Sequence, residues 1–374
     1  MRLNLQGAVN SLGYGTVTLN VAKALYNRKV DVTLFPIGKP EINNGDDANI
    51  IQEQVNNLIN GTYDSLSATI KIYHQFSLAE HVGRGKYFGW PIFELDTFSD
   101  LEKAHLKSCD ELIVCSDWAR LTCRENGIEC PIQVVPLGFD PKIFGKISST
   151  KPIWTPTGYI KRNPDSLVFF NCGKWETRKG HDVLIEAFCN AFSPADNVEL
   201  WMMNTNPFLT PDEVKAWEDK YRRCKLWSKV KLIPRVTTHE AVANIMAATD
   251  CGVFPARAEG WNLEALEMLA MGKELIITNC TGHTGFANKD NSHLIQMDKK
   301  ELAQGLPGTE SKWFFGQGNW WSFGKDQMEQ LIHHMSFMYK NKDKSYRNDC
   351  TEHTKIITKF TWHDVVGKLL AVKP

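Results

Sequence analysis

Phe254-Pro255-Ala256-Arg257-Ala258-Glu259-Gly260-Trp261-Asn262-Leu263-Glu264-Ala265-Leu266-Glu267-Met268-Leu269-Ala270-Met271-Gly272 is the stretch whose reading decides the fold. A short apolar run, Cys251–Phe254, has the length of a buried strand and is ended by a proline. A loop then carries Glu259, and a helix is expected from about Asn262 to Met271. That helix is apolar nearly all round, which marks it as buried. Only Glu264 and Glu267 interrupt it, on one narrow stripe. A carboxylate on a buried helix is costly unless something donates hydrogen bonds to it. The vicinal hydroxyls of a ribose or hexose would do so, because an ionised carboxylate accepts several such bonds. The plainer alternative sends Glu264 to solvent and pairs Glu267 with a cation. We read Glu264 as solvent-facing and Glu267 as a ligand residue.

Working outward, the same strand-loop-helix unit recurs. Strands are expected at Leu3–Leu5, Val30–Phe35, Thr69–Tyr73, Lys86–Phe88, Glu111–Cys115 and Gln133–Pro136, and again at Leu167–Asn171, Glu199–Met203, Lys229–Ile233 and Glu274–Thr278. Helical patterns fall between many of them, at Thr16–Asn27, Phe98–Ser108, Ser116–Asn126, His181–Ala191, Pro211–Arg223 and Thr238–Ala248. Alternation of this kind makes parallel sheets covered on both faces. The rhythm lapses over Ser148–Pro164, where Ser, Thr, Pro, Gly and Lys dominate, and restarts at Leu167. The expected fold is α/β: two doubly wound, Rossmann-like domains, 1–155 and 156–350, with a cleft between them and a closing segment, 351–374. Ligands of such sheets bind beyond the carboxyl ends of the strands.

The chain has 374 residues, with 43 Lys+Arg against 43 Asp+Glu, so no net field draws it to nucleic acid or anionic lipid. No apolar run approaches the roughly 20 residues that span a bilayer. The amino terminus moves directly into a strand pattern without a signal-peptide core. The ten cysteines include no Cys-x-x-Cys pair and mostly sit in apolar segments. They read as buried thiols in a reducing compartment, and a cytoplasmic protein is expected.

Two further loops carry candidate chemistry. Ser11-Leu12-Gly13-Tyr14-Gly15-Thr16 follows the first strand and opens a helix, whose free N–H groups suit an anion. A dinucleotide fingerprint needs a third glycine where Thr18 stands and an acidic residue at the end of the next strand, so nicotinamide binding is disfavoured. A plain tight turn accounts for the loop equally well. Gly173-Lys174-Trp175-Glu176-Thr177-Arg178-Lys179-Gly180 gathers three cations between a strand and a helix, an arrangement suited to a diphosphate; a solvated turn is the plainer reading.

Taken in order, these motifs resemble the retaining glycosyltransferases of family 4, which have the GT-B fold. Glu259 and Glu267 have the family's Glu-x7-Glu spacing after a Pro-ended strand, and Gly173, Lys174, Lys179 and Gly180 are similar to its diphosphate loop. Upstream, Phe93-Glu94-Leu95-Asp96, Cys109-Asp110-Glu111, Cys115-Ser116-Asp117-Trp118 and Val134-Val135-Pro136-Leu137-Gly138-Phe139-Asp140 follow its amino-terminal domain in order. Phe360-Thr361-Trp362 resembles the start of its last helix, which crosses back onto that domain. The chain departs from the pattern at Trp261-Asn262, where the family has Phe-Gly, at Lys273-Glu274, and at Gly13-x-Gly15, where the family has Gly-Gly.

The resemblance implies roles. Glu259 would hydrogen-bond the transferred sugar, with the backbone amides of Trp261, Asn262 and Leu263 near sugar and phosphate. Glu267 would hold the ribose, and Lys174 and Lys179 would neutralise the diphosphate. Gly15 would touch the diphosphate and His74 would face the sugar, although a lone histidine after a strand is also a common packed residue. The implied reaction moves a sugar from a UDP- or GDP-linked donor to a hydroxyl acceptor with retained configuration, by attack on the leaving-group face. No Asp-x-Asp element appears, so neither a metal nor a cofactor is expected. Competing readings are a sugar-nucleotide epimerase or phosphorylase on the same fold, a transferase acting on modified DNA bases, and a binding scaffold with a degenerate site. Trp313-Phe314-Phe315 and Trp320-Trp321 form an aromatic cluster able to stack on a sugar or base, though packing is the commoner use. A glycan or other small hydroxyl acceptor is favoured over lipid or nucleic acid, and no membrane insertion is expected.

Overall fold

The computed structural model describes residues 1–41, 48–145, 153–156, 158–236, 238–305, 314–342, 355–356 and 358–374. The chain forms two compact units. One comprises Met1–Phe93, Thr97–Asp140 and Thr358–Pro374, and the other Glu94–Asp96 and Pro141–Ile357.

In unit 1 the chain runs β1 (Arg2–Ala8), α1 (Gly13–Asn27), β2 (Asp31–Ile37), α2 (Ala48–Ile59), β3 (Thr69–Ile72), β4 (Tyr87–Trp90), α3 (Asp100–Lys107), β5 (Glu111–Val114), α4 (Asp117–Glu125) and β6 (Ile132–Val134). The six strands form a parallel sheet in the order β2-β1-β3-β4-β5-β6. Leu3, Leu5, Ile70, Ile72, Leu112 and Val114 are fully buried along it, as parallel strands covered on both faces require. The helices begin where the sequence supplies caps: Ser99 and Glu102 form a reciprocal capping box at α3, and Ser116 caps α4. The last helix, α10 (Trp362–Ala371), also belongs to this unit. Phe139 exchanges backbone hydrogen bonds with Phe360 and Trp362 at 3.0 and 3.2 Å. Gly138 permits that approach, because a Cβ there would meet the Phe360 carbonyl at 2.7 Å.

Unit 2 carries a second parallel sheet in the order β11-β10-β9-β12-β13-β14. Its strands are β9 (Leu167–Cys172), β10 (Val198–Met203), β11 (Val230–Leu232), β12 (Cys251–Phe254), β13 (Glu274–Asn279) and β14 (His293–Gln296). The connecting helices are α5 (His181–Ala191), α6 (Pro211–Arg222), α7 (His239–Ala247) and α8 (Leu263–Ala270), with α9 (Lys325–Lys340) after the sheet. The chain winds outward from β9 to one edge, returns, and winds outward from β12 to the other. The topological switch therefore lies between β9 and β12, whose carboxyl ends feed the Gly173–Gly180 loop and the Glu259 loop. The two doubly wound sheets expected from the sequence are both present.

Helix α2, strand β14, helix α9 and two antiparallel hairpins are additional to the expected elements. The hairpins are β7–β8 (Ile153–Thr155, Gly158–Ile160) and β15–β16 (Lys300–Gln304, Phe315–Trp321). The chain passes from unit 1 to unit 2 at Asp140–Pro141. Within the stretch 148–164, positions 148–152 and 157 lie outside the described residues, as do Trp313 and Cys350. One expectation is corrected. Cys189 at the end of α5 and Cys224 just after α6 form a disulfide across Cα atoms 6.2 Å apart, so the cysteines are not all free. Cys109, Cys115, Cys123, Cys251 and Cys280 are buried free thiols.

Candidate active site

The β9 and β12 loops of unit 2 are fastened together. Gly180 has φ +73° and lies so close to the Pro255 carbonyl that a Cβ would sit 2.0 Å from it, so only glycine fits. The Arg257 amide donates to the Arg178 carbonyl at 2.7 Å. Its guanidinium grips Asp182 through two 2.8 Å hydrogen bonds and also donates to the Thr177 carbonyl. These contacts fix the cationic loop and Glu259 against one another.

Glu259 is 5% exposed and lies between two cations. Lys179 Nζ approaches Oε1 at 2.6 Å, and Arg178 Nη1 approaches Oε2 at 2.9 Å. Burial by itself would raise its pKa, but Arg178 and Lys179 outweigh it and hold the carboxyl well below the usual carboxylate range. Arg178 also donates to Glu176 from Nε and Nη2, at 3.0 and 2.7 Å, and to the Ala258 carbonyl at 2.7 Å. Lys174 Nζ lies 3.2 Å from Glu176 and over the Phe208 ring. Of the three cations, Lys174 is the most open, with 40% of its side chain exposed, so it is the one best placed to reach an incoming anion.

Glu267 is as deeply buried, at 7% exposure, but its state is the opposite. Its carboxylate has no hydrogen bond or ion pair among the described residues, so the cation-paired alternative is set aside. Burial, and then the charge of Glu264 one turn away, push its pKa well above the usual value. Glu264, expected to reach solvent, is half-buried. Burial, and then the charges of Glu264 and Glu267, push up the Cys172 thiol at the carboxyl end of β9, and Lys179 opposes them.

Asn262 holds this turn without a glycine. It adopts φ +82°, a left-handed conformation that asparagine tolerates better than most residues. Its side chain accepts from the Ala265 amide at 3.1 Å, which caps α8. Its amide nitrogen meets His283 Nε2 at 3.1 Å, while His283 Nδ1 lies 3.0 Å from the Thr278 carbonyl. Complete burial lowers the His283 pKa to about 4, so a neutral ring donating from Nδ1 and accepting at Nε2 fits both contacts. Trp261 is buried beside Phe286, and Leu263 opens α8. Thr281 Oγ1 accepts from the Glu259 amide at 2.9 Å, and Gly282 donates back to the Glu259 carbonyl at 2.9 Å.

Gly15 and His74 lie in unit 1, on the segments after β1 and β3. A Cβ on Gly15 would meet the Asn10 carbonyl at 2.1 Å, so this glycine is required by local packing, whereas Gly13 at the start of α1 faces open space. His74 packs against Tyr14, with ring centroids 4.4 Å apart, and stacks on Phe76 at 4.9 Å. Of the aromatic cluster, Phe314 and Trp320 pack on Ala258, Ala303 and Leu95, while Phe315 is exposed. Sequence reasoning counted Arg178 among the three cations suited to a diphosphate and assigned no individual role to Glu176, Glu94 or His283. Arg178 and Glu176 stood inside the motif that it singled out, and the signal was their opposite charges two residues apart. Among the described residues no group of three or more His, Cys, Asp or Glu is arranged to hold a metal, and no helix is long and apolar enough to cross a membrane.

The two switch-point sheets define the GT-B fold. Residues 166–307, which include both loops of the site, match the family model of Glycosyl transferases group 1. The chain is similar along its whole length to solved structures that share little of its sequence. Sucrose-phosphate synthase (tll1590) from Thermosynechococcus elongatus aligns with a TM-score of 0.70 at 14% identity, covering 100% of this chain and 98% of that one. Anabaena Alr3699/HepE in complex with UDP and glucose gives 0.67 at 14% identity, covering 100% and 99%. A glycosyltransferase from Rickettsia africae gives 0.68 at 14% identity, covering 99% and 97%. No curated protein matches the sequence.

Proposed function

We propose that the protein is a retaining glycosyltransferase that binds a nucleoside diphosphate sugar in unit 2 and transfers the sugar to a hydroxyl acceptor. The observation that carries this reading is Glu267, a buried acid with no hydrogen bond or ion pair among the described residues, on the helix that follows the loop fastened to the cationic turn at the switch point of the sheet. Ribose hydroxyls would supply the missing donors. Lys174 and Lys179, with the backbone amides of Trp261, Asn262 and Leu263 at the start of α8, would take the diphosphate. Glu259, kept ionised, would accept from sugar hydroxyls through the lone pairs that its two cations leave free. That structures of similar fold hold UDP, UDP-glucose or glucose supports a UDP-linked hexose as the first donor to try.

Charge builds on the departing diphosphate as the glycosidic bond opens toward an oxocarbenium-like state. Fixed cations and helix amides stabilise that charge without reorganising. The acceptor would attack on the leaving-group face, and the departing phosphate oxygen would take its proton. This assigns the neutralising charge to lysines and amides and needs no metal. Gly15 and His74 are assigned to diphosphate and sugar from the family resemblance. We place the protein in the cytoplasm, where nucleotide sugars are made, with family 4 as its class.

The test is a thermal-shift screen of nucleotide sugars, followed by turnover of the best one with and without sugar acceptors. Donor-dependent transfer lost in both Lys179→Ala and Glu267→Ala supports the reading. Full turnover in both variants contradicts it, and consumption of donor without any acceptor points to hydrolysis or epimerisation instead.

A further inference from the structure

Arg178 lies next to Lys179 in sequence but does a different job. It is 3% exposed and presents little surface to a ligand. Three of the five N–H donors of its guanidinium are spent inside the protein, two on Glu176 Oε2 and one on the Ala258 carbonyl, and Nη1 is also ion-paired with Glu259 Oε2 at 2.9 Å. One fork therefore grips both the carboxylate of Glu259 and the carbonyl just before it, so the residue sets the angle of that side chain as well as its charge. Behind it, the Phe314 ring centroid lies 5.9 Å from the guanidinium carbon and helps keep the pair dry.

We infer that Arg178, braced by Glu176, is a positioning residue for sugar transfer: it acts through Glu259 by fixing the direction and ionisation of that carboxylate. The inference rests on the donor-site reading above and goes beyond it by assigning work to a buried cation whose bonds are made inside the protein. A lysine at this place could keep the charge but could not bridge Glu259, Ala258 and Glu176 together. Among the described residues the titratable groups acting with Glu259 are Glu176, Arg178, Lys179 and His181 from the β9 loop and the start of α5, Cys280 and His283 after β13, and Glu94.

The test compares Arg178→Lys, Arg178→Gln and Glu176→Gln in steady-state turnover of the best nucleotide sugar, with the UDP-induced melting shift as a check on folding and nucleotide binding. We expect kcat to fall about 10-fold in Arg178→Lys and about 100-fold in Arg178→Gln, in line with a misplaced catalytic group, with donor KM nearly unchanged. The acid limb of the kcat profile should move to higher pH in Arg178→Gln and stay in place in Arg178→Lys. Glu176→Gln should lower kcat about threefold. Retention of kcat within about twofold in both Arg178 variants overturns the inference. So does a loss of kcat matched by an equal loss of the UDP shift, which would mark a purely structural role. If Arg178→Gln does not fold, Arg178→Lys and Glu176→Gln decide by the split between kcat and KM. A wild type that turns over no nucleotide sugar would sink the donor reading instead. The inference would then rest on infrared titration of the Glu259 carboxyl, assigned with Glu259→Gln, and an unchanged midpoint in the folded Arg178 variants would overturn it.

Discussion

Glu259 and Glu267 belong to the same strand-loop-helix element and are buried almost equally, at 5% and 7% exposure. One is held by two cations at 2.9 Å or less, and the other has no partner among the described residues. Burial raises the pKa of both; in Glu259 the neighbouring cations reverse the effect, and in Glu267 the Glu264 charge adds to it. Burial alone therefore does not predict the state of an acid. The Glu259 side is complete as folded, with its charges matched inside the protein. The Glu267 side stores an unmet demand for donors, and unmet demand in a buried place is what a ligand relieves.

Removing Glu259 should produce the largest change. Glu259→Ala takes away the proposed sugar contact and leaves Arg178 and Lys179 short of a counter-charge. Turnover should fall by about 10³-fold, and thermal unfolding should show a loss of about 3–5 kcal/mol. The wild-type Glu259 contribution to stability should be complete above the ordinary glutamate pKa and be lost only as pH falls through its lowered folded value. An acid titration of stability, compared with Glu259→Gln, checks this sign.

Lys179→Ala should come next, lowering kcat by about 100-fold or more by removing a fixed charge from the leaving diphosphate. Steady-state kinetics in folded variant protein would show it.

The third effect sharpens the contrast, because it should run in opposite directions with and without ligand. Glu267→Gln should weaken UDP binding about 10-fold by losing charge-assisted bonds to the ribose, read by calorimetry. The free variant should nevertheless be more stable than wild type at neutral pH. The wild-type folded pKa is raised, so its favourable contribution is present below the unfolded value and is lost as pH rises through the folded one. The advantage of the variant should vanish in acid, below the ordinary glutamate pKa.

The smallest effect belongs to the turn that joins the two acids. Asn262→Ala should cost about 2 kcal/mol, combining a lost cap with a left-handed alanine. Asn262→Gly should cost only a few tenths of a kcal/mol. Denaturant unfolding of the two variants separates the contributions.

Much of this was legible in the sequence. Periodicity located the core strands of both sheets, because a strand buried on both faces is written as an apolar run. Strands β15 and β16 escaped for the converse reason. Lys300-Glu301-Leu302-Ala303-Gln304 has little strand preference and is held by pairing with β16, by Trp320 packing on Ala258, and by the Asp96 carboxylate, which bonds Lys300 and Asn319. The candidate site divides the same way. Glu267 stands out as an acid on an apolar helix, and Glu259 and Lys179 through the resemblance to family 4. The left-handed Asn262, the neutral His283 beneath it, and the division of labour between Arg178 and Lys179 depend on contacts between segments 20 to 80 residues apart in sequence, which no local pattern carries. The Cys189–Cys224 bond was hidden likewise, since the two cysteines stand 35 positions apart with no spacing motif.

The charge state of Glu267 is the decisive property of this site. Isotope-edited infrared or carbon NMR titration of the glutamate carboxyls, assigned with Glu267→Gln and recorded with and without UDP, reads it directly. Free Glu267 should stay protonated at a pH where an ordinary glutamate has ionised, and UDP should drive it to the carboxylate with release of a proton. A Glu267 that titrates as an exposed glutamate does, with a midpoint that UDP leaves in place, would contradict this.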